Sequence, residues 1–302
     1  MELSGLLSLI SGMPSYRRLL KGLGQEKAGV SASVIDAARP YLAAALHKDL
    51  GRPVLMVTAG PEHSRRLQDQ VNAWLGAGRV LVFPEPDALP YQRVVTDPSA
   101  GLERIGVLSL LAGKIKGVTP PFIIASALAL MQKVMPHKEL VSAWHKIEKG
   151  MSTDPRKLIE KWLALGYRIE ELVEAPGTIG RRGGILDIFP ASSDLPVRIE
   201  FLGNTVDSIR EFDTGSQRSE DEVGAVEIGP ATELLKPLSG DTEGIKKAVS
   251  GLDCRKCAAG TEEQLGRETA MLLDGRLPDD AGFMLPCSTM AACWTICCRT
   301  LW

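Results

Sequence analysis

Arg198, Glu200 and Leu202 stand at alternate positions of the segment VRIEFL, interleaved with Val197, Ile199 and Phe201. A period of two sends the aliphatic and aromatic set to a core and leaves the other three on the wet face. An arginine there can do non-covalent chemistry. Its planar fork grips a carboxylate through two hydrogen bonds while its stem packs on apolar groups. A leucine four residues further along the same face would add an apolar anchor. The pattern also fits an ordinary solvated face with one stray leucine, because singly exposed leucines are normal. Both readings stay open on these residues alone.

No constellation for covalent or metal chemistry accompanies that face. His47, His63, His137 and His145 lack any spacing suited to a metal or a triad. Asp187 and Asp194 read as flanking turns, and nothing marks them as a general acid and base. Gly177, Gly180, Gly183 and Gly184 crowd together without a following helix, which suits a hairpin and not a phosphate loop. The stretch AGVSASVIDAARPYLAAAL lies where such a loop would precede its helix. It offers only Gly29, has no lysine before Lys48, and sets Asp36 where a phosphate would sit. The acidic run Ser219–Glu222 lacks the apolar lead-in of a magnesium-binding strand end. Of six cysteines, Cys254 and Cys257 form a lone CxxC without the second pair a structural zinc needs, so reduced thiols are expected. The expectation is no catalytic residue, no cofactor and no metal.

The elements that must carry the arginine face are short strands. ILDIF and VRIEF are rich in residues that suit a pleated surface, and Gly183-Gly184, Pro190-Ala191-Ser192-Ser193 and Gly203-Asn204 punctuate them. Upstream, PVLMVTA, RVLVFPE and PFIIASA are continuous apolar runs expected of strands buried on both faces. Helical stretches at 35–50, 61–75 and 99–112 alternate with them, which implies a parallel sheet with right-handed crossovers. After Pro136 the mixed segment KELVSAWHKIEKG reads as a strand, and a helix is expected from Asp154-Pro155 to about Gly166. YRIEELV then reads as the next strand. The fold class expected is therefore α/β: a parallel-sheet lobe over 1–135, interrupted by a smaller α+β domain with an antiparallel sheet over 136–216. The chain is expected to return to the lobe over 217–282 and to end in an anomalous tail over 283–302.

Length and composition agree with that plan. A chain of 302 residues, 44% hydrophobic and 24% charged, suffices for about two domains. With 35 basic against 37 acidic residues the net charge is −2, which gives no electrostatic footprint for DNA, although it leaves room for a local patch. No apolar run approaches the ~18 residues of a membrane span, and the first residues lack a basic start and a cleavage site. A cytoplasmic protein is expected.

Several ordered stretches carry a resemblance. They are FPEPDALPYQRVVTDPSAGLERIGVLSLL, IIASALALMQKVMP, GYRIEELVEAPGTIGRRGGILDIFPASSDLPVRIEFLGNTVDSIREFDTGSQRS and EIGPATELL. Through them the chain resembles, over about residues 1–283, the N-terminal module of the bacterial transcription-repair coupling factors, a degenerate copy of the excision-repair protein UvrB. The resemblance implies a lobe related to helicase motor domains but without a working phosphate loop. It also implies that the inserted α+β domain binds the damage-recognition protein UvrA. The arginines that contact UvrA in the family fall on Arg182 and Arg198, both expected to present free guanidinium groups. The position of a further aromatic contact is held by Leu202, which keeps an apolar anchor but loses ring area. In the family the RNA polymerase-binding domain and the translocase motor lie downstream, so neither is expected here. The text after Gly282, FMLPCSTMAACWTICCRTLW, departs from the family and reads as a frameshifted end. The leading expectation is a non-enzymatic adaptor of transcription-coupled repair. Its rivals are a nucleotide-dependent DNA enzyme of the UvrB class and a non-functional truncated product.

Overall fold

Proline opens and glycine closes the principal helices, and the strands fill the intervals. The computed structural model describes residues 3–24, 29–86, 98–115, 120–233 and 260–273, with isolated positions 243, 246, 249–250 and 291–292. A 3-10 turn at Ser4–Gly12 precedes α1 (Pro14–Leu23), and another at Asp36–Ala38 leads into α2 (Arg39–Leu50). Then come β1 (Val54–Thr58), α3 (Pro61–Leu75), β2 (Val80–Phe83), α4 (Pro98–Leu111), β3 (Phe122–Ser126) and α5 (Ala127–Met131). Next are β4 (Lys133–Val134), α6 (His137–Ala143), β5 (His145–Glu148), α7 (Pro155–Ala164) and β6 (Arg168–Ile169). The strands β7 (Thr178–Arg182), β8 (Ile185–Phe189), β9 (Val197–Leu202), β10 (Thr205–Phe212), β11 (Ser219–Glu222) and β12 (Ala225–Ile228) follow, then α8 (Thr261–Leu273) and the short strand β13 (Ala291–Ala292), which pairs with β4.

These elements fall into two compact units. One takes the chain up to Glu85 together with β3 and α5; the other takes Pro86–Ile115 and Lys133–Thr300. In the first unit a parallel sheet runs in the order β1-β3-β2, with Phe122 in register with both Val54 and Val80. Every residue of β3 is buried, as its unbroken apolar run requires, and Phe122 and Ile124 share a core with Val71, Ala44, Ala45 and Tyr16. The strand–helix cadence of the sequence is thus the cadence of the fold here.

In the second unit six strands lie in the order β11-β10-β9-β8-β7-β6, antiparallel except for the β6–β7 pair. Helix α7 is amphipathic and starts where the Asp154 carboxylate accepts from the Arg156 N–H at 2.8 Å. Its Leu158 and Trp162 share one buried cluster with Ile179, Leu186, Ile188, Val197, Ile199, Val206 and Ile209. Gly166 ends it at a φ of +91°, and a Cβ there would lie 2.3 Å from the Thr232 side chain, so glycine is required twice over.

Three expectations shift in this unit. The segment after Pro136 is not one strand, because the chain turns to extended backbone at Trp144 and divides it into α6 and β5. Only Arg168–Ile169 of YRIEELV enters the sheet. Ala225–Ile228 pairs antiparallel with β5, and the Tyr167 hydroxyl donates to the Gly229 carbonyl at 2.9 Å. These contacts form a two-stranded sheet of their own and place 225–229 in the second unit, where a return to the first lobe was expected. Likewise α4 groups with the second unit. The cysteines and nearly all of the tail over 283–302 lie outside the described residues. Among the described residues no helix is long and apolar enough to cross a membrane, and no group of histidine, cysteine or acidic side chains could hold a metal.

A partly buried histidine borders this core. The indole N–H of the fully buried Trp162 donates to Nε2 of His145 at 3.1 Å, so the histidine must keep that nitrogen unprotonated. Burial first, and the nearby Lys161 charge second, lower the His145 pKa to about 4. The unfolded chain then binds a proton that the folded one refuses between about pH 6.5 and 4, so stability falls as pH drops through that window. His145→Gln keeps an acceptor for Trp162 and is expected to flatten that part of a pH-dependent urea-unfolding series. An unchanged slope would show that other groups control it.

Candidate docking face

The core lies on one side of the six-stranded sheet, and the other side carries the polar rows. Cross-strand partners share a face. Gly180 opposes Asp187, Asp187 opposes Arg198, Arg198 opposes Arg210 and Arg210 opposes Glu222, which makes one row from β7 to β11. A second row runs from Arg182 through Ile185 and Glu200 to Ser208. A register shift between Val206 and Ser208 inserts Asp207 as an extra residue. That bulge turns Ser208 and Arg210 outward while Val206 and Ile209 both stay in the core.

Asp187 organises the outer face. Its side chain is 3% exposed, yet both oxygens are engaged. Arg198 donates through Nε to Oδ1 at 2.8 Å and through Nη2 to Oδ2 at 2.9 Å, and Arg182 Nη2 donates to Oδ2 at 2.9 Å. The third Arg198 nitrogen, Nη1, donates to the Gln217 carbonyl at 3.2 Å and to Ser219 Oγ at 3.4 Å. The same guanidinium lies 4.7 Å from the centre of the Phe212 ring, which is buried with Phe189 and Val173. Hydrogen bonding to Asp187 raises the Arg198 pKa further above its ordinary value, so the group is permanently charged.

Gln217 reaches that position through a left-handed backbone at φ +57°, unusual for a side chain without a short polar group. The loop compensates locally. Gln217 N–H donates to the Asp213 carbonyl at 2.8 Å, its side-chain amide donates to the Thr214 carbonyl at 2.8 Å, and Ser216 N–H donates to Asp213 Oδ1 at 2.7 Å. Hydrogen bonds from Ser216 hold the Asp213 carboxyl below its usual range.

The three residues singled out from the sequence therefore differ in kind. Leu202 is 77% exposed at the end of β9. The Arg182 side chain is 50% exposed and, among the described residues, makes beyond Asp187 only a long 3.4 Å contact with Gln217 Oε1. Arg198 departs from expectation: its side chain is 14% exposed and all three of its nitrogens are hydrogen-bonded within the fold, so it presents no free guanidinium. The physical cause is Asp187, which stands opposite Arg198 in mid-strand and not beside a turn. Ser208 Oγ donates to Glu200 Oε2 at 2.8 Å, which occupies that carboxylate as well. Sequence reasoning misread Asp187 as a turn residue and passed over Gln217 and Arg210. The signal for Asp187 was available: an acid between Leu186 and Ile188 in a strand cannot be buried without a cationic partner. The other two had no such signal.

A six-stranded sheet, packed on one side by a tryptophan-bearing helix and carrying paired arginine on the other, makes up an α+β domain. Residues 146–234 match the UvrB interaction domain family. Beyond that domain, the chain is 36% identical over 205 residues to the transcription-repair-coupling factor of Myxococcus xanthus, covering 66% of this chain and 17% of that protein. It is 30% identical over 222 residues to the Escherichia coli protein of the same name, covering 74% and 19%, and 27% identical over 251 residues to the Bacillus subtilis one, covering 83% and 21%. The chain is a homologue of the N-terminal part of the transcription-repair-coupling factors. It spans about a fifth of the length of these relatives.

Proposed function

We propose that this chain is a non-catalytic docking module that captures UvrA on the outer face of β7–β9 and so links stalled transcription to excision repair. The observation that carries the reading is the pairing of a half-exposed Arg182, aimed by a buried Asp187, with an exposed Leu202 on the same rigid sheet. A partner carboxylate would take the outer edge of the Arg182 fork, and an apolar contact would cover Leu202. Arg198 acts in this reading as a positioning residue: it fixes Asp187, which in turn fixes Arg182. The parallel-sheet unit is, in the same reading, a relative of helicase motor domains without a phosphate loop. No RNA polymerase or DNA contact is assigned to either unit.

The test is a titration of purified UvrA into the purified chain. Arg182→Glu places an acid where the partner offers one and is expected to weaken binding by about 100-fold or more, the scale of breaking an interfacial charge pair. Leu202→Asp should weaken it by about 10-fold. Leu202→Asp should leave the thermal melt within a degree or two of the parent; Arg182→Glu, which sets a carboxylate beside Asp187, should lower it by several degrees while the chain stays folded at the temperature of the titration, as circular dichroism would show. Parental affinity in both variants would remove this face from the account.

A further inference from the structure

We propose that Arg210 is a further contact of this docking face and receives a second carboxylate from the partner protein; the inference rests on the UvrA reading above. Arg210 stands directly across from Arg198, on the neighbouring strand and on the same face. Like charges in that arrangement repel. Arg198 is compensated by Asp187, whereas among the described residues Arg210 has only a long contact with Glu222. The nearest carboxylate oxygen, Glu222 Oε2, is 3.9 Å from Arg210 Nη2, beyond hydrogen-bond reach. The other Glu222 oxygen already accepts from Lys149 Nζ at 2.7 Å.

Among the described residues the Arg210 side chain makes no hydrogen bond, and its Nε is buried without an acceptor. Yet 43% of the side chain is exposed, so the edge of the fork remains open to solvent. This is a guanidinium held in a strand, next to a like charge, with its donors unused. A carboxylate seated end-on across the two exposed Nη groups would pair the charge and relieve the repulsion between the two arginines, while the buried Nε stays beyond its reach. The surroundings decide what bears that carboxylate. Glu200 lies diagonally across the row, and Glu220, Asp221 and Glu222 on β11 are all exposed. A nucleic-acid backbone, with a charge at every phosphate, would meet these acids along its length. A single acidic side chain of a protein fits between them.

Titrations of UvrA into the parent, Arg210→Ala, Arg210→Gln and Arg210→Lys, each at two salt concentrations, test the proposal. Both neutral variants are expected to bind about 10-fold more weakly and with a shallower salt dependence. Arg210→Lys should recover only part of the loss, because an ammonium lacks the fork. Thermal melts of the two neutral variants should match the parent or exceed it, since a like-charge contact has been removed, and Arg210→Lys, which keeps the charge, should match it, which separates lost contact from lost fold. If both neutral variants bind as the parent does while Arg182→Glu fails, the Arg210 proposal is overturned and the docking reading stands. If Arg182→Glu also binds normally, the docking reading itself falls. Saturable duplex-DNA binding that Arg210→Ala abolishes, with UvrA affinity unchanged, would reassign the residue to nucleic acid and overturn the proposal.

Discussion

Asp187→Ala is expected to destabilise the antiparallel unit by about 3–5 kcal/mol, the range for removing one member of a buried ion pair. The carboxylate accepts three guanidinium hydrogen bonds, two of them from Arg198. Without it Arg198, 14% exposed and roofed by Phe212, keeps a charge it can neither hydrate nor pair. Arg210, in register beside it, makes the uncompensated charge worse. Arg182 contributes little to the loss, because its half-exposed guanidinium can turn to water and exposed pairs are worth at most about 1 kcal/mol. Asp187→Asn keeps one acceptor oxygen but points an amide at a guanidinium, so an intermediate loss follows. The more telling variant replaces both partners. Asp187→Leu with Arg198→Met should regain most of the stability, as apolar replacements of buried pairs do, yet still bind UvrA weakly because Arg182 has lost its anchor. Urea unfolding followed by circular dichroism measures the first effect and titration the second. A loss below about 1 kcal/mol in Asp187→Ala would mean that the carboxylate is not the hub described.

How far the sequence itself exposes this arrangement depends on the range of the interaction. Apolar runs and their punctuation located β1, β2 and β3 to within a residue or two; β3 is buried throughout, as its run implied, whereas β1 is only partly buried and leaves Val57 exposed, against the expectation of burial on both faces. The start of α7 was legible from Asp154-Pro155, and its end from Gly166, since capping is local. The division of 137–148 was not legible, because β5 exists only through its pairing with β12, some eighty residues away. On the site, Leu202 was readable as exposed from simple alternation in β9. Arg198 was readable as outward-facing but not as internally paired, because its partner lies on β8 and register is a tertiary fact. Arg210 was hidden by the bulge at Asp207. Strict alternation from Val206 would send Arg210 to the core face with Ser208, and only the extra residue turns it out. Gln217 gave no signal at all, since the left-handed conformation it adopts is usually held by glycine or asparagine.

Trp162→Ala is expected to cost about 3–5 kcal/mol, comparable to the loss of Asp187 but by a different route. Trp162 is among the largest fully buried side chains of the chain, and it fills the space between α7 and the inner face of the sheet. Its removal leaves a cavity bordered by strands whose backbone ladders resist collapse, so little of the loss can be recovered by repacking. The indole N–H also disappears, which strands His145 Nε2 as a buried acceptor without a donor. Trp162→Phe separates the two terms, since it refills most of the volume and loses only the hydrogen bond. Because the core and the docking face are opposite sides of the same strands, Trp162→Ala should also reduce UvrA capture, though only by the fraction of molecules that unfold. Lower temperature or an excluded osmolyte would then restore binding to Trp162→Ala by restoring the sheet. The same treatment would leave Arg182→Glu as weak as before, because that variant is folded and simply mispaired. Should Trp162→Ala stay weak at a temperature where its circular dichroism shows a fully folded sheet, the tryptophan would be shaping the docking face directly and the separation of the two sides would not hold.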